Sequence, residues 1–246
     1  MPSDIPRRIA MWSGPRNIST AMMRSWGSRR DTFVCDEPLY AHYLLVTRRK
    51  HPGTDEVIGH HETDWHKVVH WLTGPVPEGK QVFFQKHMAH HLLPHIDRGW
   101  LGQVTNCLLI RHPREVLTSY LKIEGAPEPA LEDLGFPQQL EIFELERSRG
   151  VTPPIVDARD VQTDPRRMLG LLCDAVGVEF NDEMLCWPSG FRKTDGVWAK
   201  YWYGNVARST GFEPYETKND VVPEHLSDLY QTCLPYYSHL QSHKLQ

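Results

Sequence analysis

The chain has 246 residues, of which 40% are hydrophobic and 24% charged, and a formal net charge of −4. That length supports one domain with a sizeable core, and the mild acidity excludes a protein built for nonspecific nucleic-acid binding, so any basic site must be local. No apolar run is long enough for a membrane span, and Met1-Pro2-Ser3-Asp4 does not begin the charged-then-apolar pattern of a secretion signal, so a cytoplasmic location is expected.

In chain order, the first apolar run, Ile9 to Trp12, reads as a buried strand that breaks at Gly14-Pro15. The hydroxyl pair Ser19-Thr20 then opens a segment with helical spacing, Thr20 to Trp26. A strand, a turn and an open helix N-terminus form an anion cradle, because the first N–H groups of a helix and the positive end of its dipole face the turn. Gly14, Pro15, Arg16, Asn17, Ile18, Ser19 and Thr20 are therefore candidate ligand contacts, with the Arg16 fork suited to phosphate or sulfate oxygens. The competing reading is an ordinary helix start capped by serine. The pattern GxxxxGK[ST] of nucleotide triphosphatases does not fit, since Ile18 rather than lysine precedes Ser19.

Further strands are predicted at Thr32 to Cys35, Val82 to Phe84, Cys107 to Ile110 and Ile155 to Val156. They are short and continuously apolar, as in a parallel sheet covered on both faces. Helical patterns fit Asp64 to Leu72, Pro113 to Lys122, Pro137 to Ser148, Asp164 to Val176 and Glu224 to Cys233. The alternation predicts an α/β three-layer sandwich: a central, mainly parallel sheet of about five strands with helices on both faces. Arg48 to Thr63 and Trp187 to Thr217 read as loops, which in such a sheet shape the ligand site beyond the carboxyl ends of the strands. Five scattered cysteines without a CxxC pair are expected to be reduced.

Two later segments carry cations. Arg111 stands at the end of the fourth strand, and Ser119 lies two turns into the following helix, so a loop curling back brings both onto one phosphate; the alternative is a surface ion pair and a helix filler. In Phe191-Arg192-Lys193-Thr194-Asp195-Gly196-Val197-Trp198-Ala199-Lys200, two cations and an aromatic ring can fold over a phosphorylated nucleotide, or else form a solvated loop with Trp198 in the core.

Together and in this order, the three segments resemble the sulfotransferase family that uses 3'-phosphoadenosine-5'-phosphosulfate (PAPS). WSGPRNIST is similar to the family's strand-loop-helix for the 5'-phosphosulfate, which assigns Arg16, Ser19 and Thr20 to that role. IRHPREVLTSY matches the Arg and Ser that bind the 3'-phosphate, here Arg111 and Ser119. FRKTDGVWAK resembles the late RKGxxGDWK segment through Arg192, Lys193, Gly196, Trp198 and Lys200. DEPLYAHYL, QKHMAHHLLPH and DGVWAKYWY look more closely like a bacterial and fungal group of small sulfotransferase-like proteins. The departures are Ile18 and Ala21, where cytosolic members carry a glycine and an aromatic residue, and Thr194 in place of the glycine of RKG. The resemblance implies a P-loop/sulfotransferase-like fold, PAPS as co-substrate, no required metal, and a small-molecule hydroxyl or amine as acceptor. It also implies that the three basic segments converge to grip one nucleotide by its opposite ends.

For the base, the resemblance offers Glu37, in the Glu-Pro pair after the second strand, and His87, in Gln85-Lys86-His87 after the third; Lys86 is assigned to help hold the transferring sulfuryl group. Glu37 has a structural alternative, as partner of Arg16 or Arg24. His87, His90, His91 and His95 have the spacing of imidazoles on one helix face, but no HExxH accompanies them and no metal site is predicted. A noncatalytic nucleotide-binding protein of the same fold and an ATP-dependent phosphotransferase are the competing functions. Acceptor-pocket residues are expected in His42 to Trp71, Leu131 to Phe143 and the aromatic cluster after Trp198. Neither the acceptor nor an oligomeric state follows from the sequence.

Overall fold

The computed structural model describes residues 5–123, 128–217 and 220–246. The four N-terminal residues read above for a secretion signal lie outside that description. Five strands, β1 (Arg7–Ser13), β2 (Thr32–Asp36), β3 (Val82–Met88), β4 (Thr105–Ile110) and β5 (Ile155–Asp157), form one sheet in the order β2-β3-β1-β4-β5. Every neighbouring pair is parallel.

Strand alternation divides the core into two. Ile9, Met11, Val34, Phe84, Leu109 and Val156 pack against Met22, Met23 and Trp26 of α1 (Ser19–Gly27), Val161 of α8 (Ala158–Thr163) and Leu169 and Leu172 of α9 (Pro165–Val176). On the other face Ala10, Trp12, Phe83, Leu108 and Ile110 meet Leu72 of α4 (Trp65–Thr73), Leu117 of α5 (Pro113–Tyr120), Ile142 and Phe143 of α7 (Phe136–Ser148) and Leu240 of α11 (Ser227–Gln241). The result is the predicted three-layer α/β sandwich. Asp64 and Asp164 cap α4 and α9 by accepting the N–H of His66 and Arg167.

Among the described residues there are also four α-helices that the sequence reading does not predict or that are short: α2 (Tyr40–Thr47), α3 (Thr54–His60), α6 (Leu131–Leu134) and α10 (Ala199–Trp202). Helix α2 escapes the periodicity test because five consecutive residues, Tyr40 to Leu44, are buried, leaving no polar stripe, and no side chain caps it. Helix α11 runs through Pro235 to Gln241, well past the Cys233 expected as its end. Among the described residues no helix is long and apolar enough to cross a membrane.

After β1 the chain moves toward β2, whereas after β4 it moves toward β5; these two neighbouring strands therefore diverge at their carboxyl ends, the place where open α/β sheets form their crevice. Gly14 makes the first turn there possible. A Cβ at this position would stand 2.4 Å from the Leu134 carbonyl oxygen, a backbone atom that no rotamer change can move. Gly14→Ala is expected to cost about 1–3 kcal/mol through this overpacking, read as a lower urea midpoint; an unchanged midpoint would mean that the turn yields freely.

Candidate active site

The crevice is a cavity of about 600 Å³ with two chemically different ends. At the first, Arg16 turns the chain with a left-handed backbone, φ 57°. Asn17 fastens this turn: its amide donates to the Leu109 carbonyl at 2.9 Å, and its Oδ1 accepts from the Ile18 N–H at 2.8 Å. Helix α1 then starts with no side-chain cap and no acidic residue in its first turn, so its leading N–H groups and dipole remain available to an anion.

The basic residues of the first and fourth strand ends meet here. Arg16 Nε donates to Ser119 Oγ at 3.1 Å, and Arg111 Nη1 donates to the Arg16 carbonyl at 2.6 Å. Arg111 Nε is held by Glu115 Oε2 at 2.9 Å, while Tyr215 donates to the other Glu115 oxygen at 2.8 Å. Among the described residues, neither Nη of Arg16 and neither hydroxyl of Ser19 and Thr20 has a protein hydrogen-bond partner. Burial, and then the neighbouring Arg111, lower the Arg16 pKa from its ordinary value. Two arginines joined through the Arg16 carbonyl, both lining the cavity, are an arrangement that can receive a multiply charged anion.

The second end is built on β2 and β3. Parallel register sets Asp36 opposite Lys86, and the Glu37 N–H donates to the Lys86 carbonyl at 2.8 Å, with Glu37 in a left-handed conformation at φ 42°. Lys86 Nζ, fully buried, donates to Asp36 Oδ1 at 2.8 Å, to Tyr203 Oη at 2.9 Å and to Glu37 Oε1. Tyr203 in turn donates to Asp36 at 2.7 Å, and the Gly196 N–H reaches the same carboxylate at 3.2 Å. Burial raises the Glu37 pKa against the opposing pull of Lys86, with Asp36 adding to the rise. For Lys86, burial acts to lower the pKa, but the Asp36 and Glu37 carboxylates win and hold the ammonium well above its ordinary value.

Several sequence-based assignments are corrected by this geometry. The three N–H groups of Lys86 all have protein partners here, Asp36, Glu37 and Tyr203, where the sequence reading expects Lys86 to help hold a sulfuryl group. Glu37 pairs with Lys86, and with neither Arg16 nor Arg24. His87 does not reach the cavity. Strand alternation turns it to the opposite face of the sheet, where its ring stacks on Trp12 at 4.2 Å, and burial, then Lys86, push its pKa down to about 3. Arg192 and Lys193 line a different hollow beside Arg24, Ser28 and Cys186. What the late segment contributes instead is Asp195, which grips Arg24 of α1 through 2.5 and 2.7 Å contacts, both side chains 3% exposed, and accepts the Arg192 N–H at 2.7 Å. Trp198 is a core residue: it is 1% exposed and donates to Tyr203 Oη at 3.2 Å. The convergence thus involves two of the three basic segments. Gly14 shapes the turn without lining the cavity, whereas Pro15, Arg16, Asn17, Ile18, Ser19, Thr20, Glu37, Lys86, Arg111 and Ser119 all line it.

The four histidines share no helix face either. His87 ends on the strand, His90 and His91 form a 3-10 turn, and His95 Nε2 faces His42 Nε2 at 2.8 Å. His90 and His91 do enter the cavity wall, together with Tyr40, Tyr43, His51 and Trp202. Tyr40 lies parallel to His91 with ring centroids 4.8 Å apart, and Tyr43 flanks it at 4.6 Å. Arg49, paired with Asp133 at 2.7 Å, and Lys50 stand at the same end. The segment that closes the cavity from the far side is Asn205 to Glu213, tied down by Gln162, which donates to the Glu213 carbonyl at 3.1 Å.

Residues 7–244 match the family model described as Sulfotransferase domain. The Branched-chain-amino-acid aminotransferase-like proteins 2 and 1 of Arabidopsis thaliana are 35% identical over 237 residues and 34% identical over 241. Those alignments cover 96% and 97% of this chain but 41% and 42% of the plant proteins, so the chain spans about two-fifths of the length of these curated relatives. The fold is similar to that of the sulfotransferase domain from the curacin biosynthetic pathway, with a TM-score of 0.53 at 18% identity over 97% of this chain and 99% of that one. A sulfotransferase from Alicyclobacillus acidocaldarius gives a TM-score of 0.53 at 10% identity, covering 97% of both chains.

Proposed function

The chain belongs to the sulfotransferase domain family, and from that premise we propose that it moves a sulfuryl group from PAPS to a hydroxyl or amine of a small-molecule acceptor. The reading rests on one observation above the others: an uncapped helix start, the Arg16 and Arg111 side chains, the second anchored on the Arg16 carbonyl, and a buried Glu37–Lys86 pair share one crevice. These donors suit a nucleotide with phosphate at both ends, and PAPS supplies the group transferred. Arg16, Ser19, Thr20 and the start of α1 hold the 5'-phosphosulfate; Arg111 and Ser119 hold the 3'-phosphate. Transfer through a loose transition state needs alignment and neutralisation of the leaving oxygen, which Arg16 and the helix start provide. Glu37 is the final store for the acceptor's proton, a role that suits a carboxylate whose affinity for protons burial has raised. The free thiols of Cys35, Cys107, Cys173, Cys186 and Cys233 fit a reducing cytoplasm, and the chain is proposed to act as one domain.

Calorimetry with adenosine 3',5'-bisphosphate, followed by turnover of labelled PAPS against a pool of small alcohols, phenols and amines, tests this reading. Binding and transfer are expected. Binding without transfer would make the protein a nucleotide binder, and binding of ATP with magnesium in its place would favour a phosphotransferase. Within the same titrations, Arg111→Ala is expected to lose about 1.5–3 kcal/mol of affinity for the bisphosphate and far less for its 3'-dephosphorylated form; equal losses would contradict the assigned 3'-phosphate contact.

A further inference from the structure

We propose that His91 is a second catalytic residue of this transfer, standing between the acceptor and Glu37 and handing the acceptor's proton across its ring. The proposal rests on the donor and acceptor assignment above. His91 is 2% exposed yet forms part of the cavity wall, held between Tyr40 and Tyr43. Its Nδ1 is sealed from solvent without a hydrogen-bond partner and faces Glu37 Oε2 at 3.9 Å. A buried ring nitrogen left unpaired costs its full desolvation, which makes a functional use the natural reason to keep it, and catalytic hydrogen bonds that are long in a ligand-free site tighten in the substrate complex. Among the described residues Nε2 has no hydrogen-bond partner, and it is the nitrogen left for the cavity. Glu37 Oε1 is tied to Lys86, which leaves Oε2 as the oxygen that meets the imidazole.

The step balances as follows. The acceptor O–H (or N–H) bond breaks as Nε2–H forms, and the Nδ1 proton passes to Glu37 Oε2. The acceptor atom bonds to sulfur while the bond between sulfur and the 5'-phosphate oxygen breaks, its electron pair leaving on that oxygen. Exchange with water after product release returns Glu37 to carboxylate and the ring to its first tautomer. Burial first, and then His90, His51, Lys86 and His87, hold the His91 pKa well below its ordinary value, whereas that of Glu37 is raised; the ring therefore passes the proton on and the carboxylate keeps it.

The test reads the tautomer directly on the intact chain labelled with nitrogen-15. Two-bond proton–nitrogen correlation spectra near neutral pH, with and without adenosine 3',5'-bisphosphate, are expected to show His91 neutral with its proton on Nδ1, and Glu37→Gln to shift that resonance. A proton on Nε2, or no response to Glu37→Gln, would overturn the proposal. In turnover, His91→Ala is expected to lower the rate by about 10²–10⁴-fold with bisphosphate affinity retained, and added imidazole to restore part of it. Full activity in His91→Ala would also overturn it. Failure of the wild-type protein to bind the bisphosphate falls on the PAPS reading instead, and the tautomer then still decides the role of His91.

Discussion

Lys86→Met is expected to lower the folding free energy by about 3–5 kcal/mol, because it strands Asp36 and Glu37 side by side without their cation. The side chains of Lys86 and Asp36 are each 1% exposed and that of Glu37 11%, so water cannot replace the ammonium. Methionine keeps the length of the stem, which confines the change to charge and hydrogen bonding. The pH dependence gives the signature. Without the ammonium, which opposes the effect of burial, the Glu37 carboxyl is held further above its unfolded pKa, so the variant is least destabilised in acid, where Glu37 is protonated, and loses stability as the pH rises through that value. Urea midpoints measured from mildly acid to neutral pH check this. A deficit that stays constant with pH would mean that lost packing, rather than stranded charge, is responsible.

Arg16→Ala is expected to reduce transfer by about 10²–10³-fold, the usual loss when one preorganised donor to developing negative charge is removed. Bisphosphate affinity should fall as well, by about 1.5–3 kcal/mol for a charge-assisted contact. Arg16 also occupies a left-handed backbone position, and a parallel Arg16→Gly variant separates the two contributions, since glycine adopts that conformation without strain. Equal losses in the two variants place the effect in the guanidinium. Recovery in the glycine variant would assign it to the turn.

The sheet was legible because each strand is a continuous apolar run bounded by turn residues, and the same logic located α1, α4, α5, α7 and α9. Arg16, Arg111 and Ser119 were legible because strand ends and helix starts are where a parallel sheet collects ligand contacts. The second end of the site was harder. Alternation along Phe83, Phe84, Gln85, Lys86 and His87 already sets His87 on the face of Phe83 and Lys86 on that of Phe84, a signal that would have removed His87 from the cavity. Asp36 and Tyr203 carry no local pattern: they are 167 positions apart, and only the folded chain brings them to 2.7 Å. In the late segment two adjacent cations drew attention on charge alone. The residue that matters for packing is Asp195, whose partner Arg24 sits on a helix formed far earlier. His91 was visible only as one of four histidines, and its meaning depends on the Tyr40 and Tyr43 rings that hold it.

The register of Lys86 against Met11 on one side and Asp36 on the other limits where the crevice can be altered. A cation woven into the middle of the sheet cannot be retuned by loop drift, since moving it by one position would turn it out of the site. Substitutions in the floor of the crevice are therefore expected to be tolerated poorly, and those in the Arg49-Lys50-His51 corner and the Asn205 to Glu213 rim more freely. Random libraries confined to that rim are the economical way to vary what the crevice accepts while leaving Asp36, Glu37 and Lys86 in place.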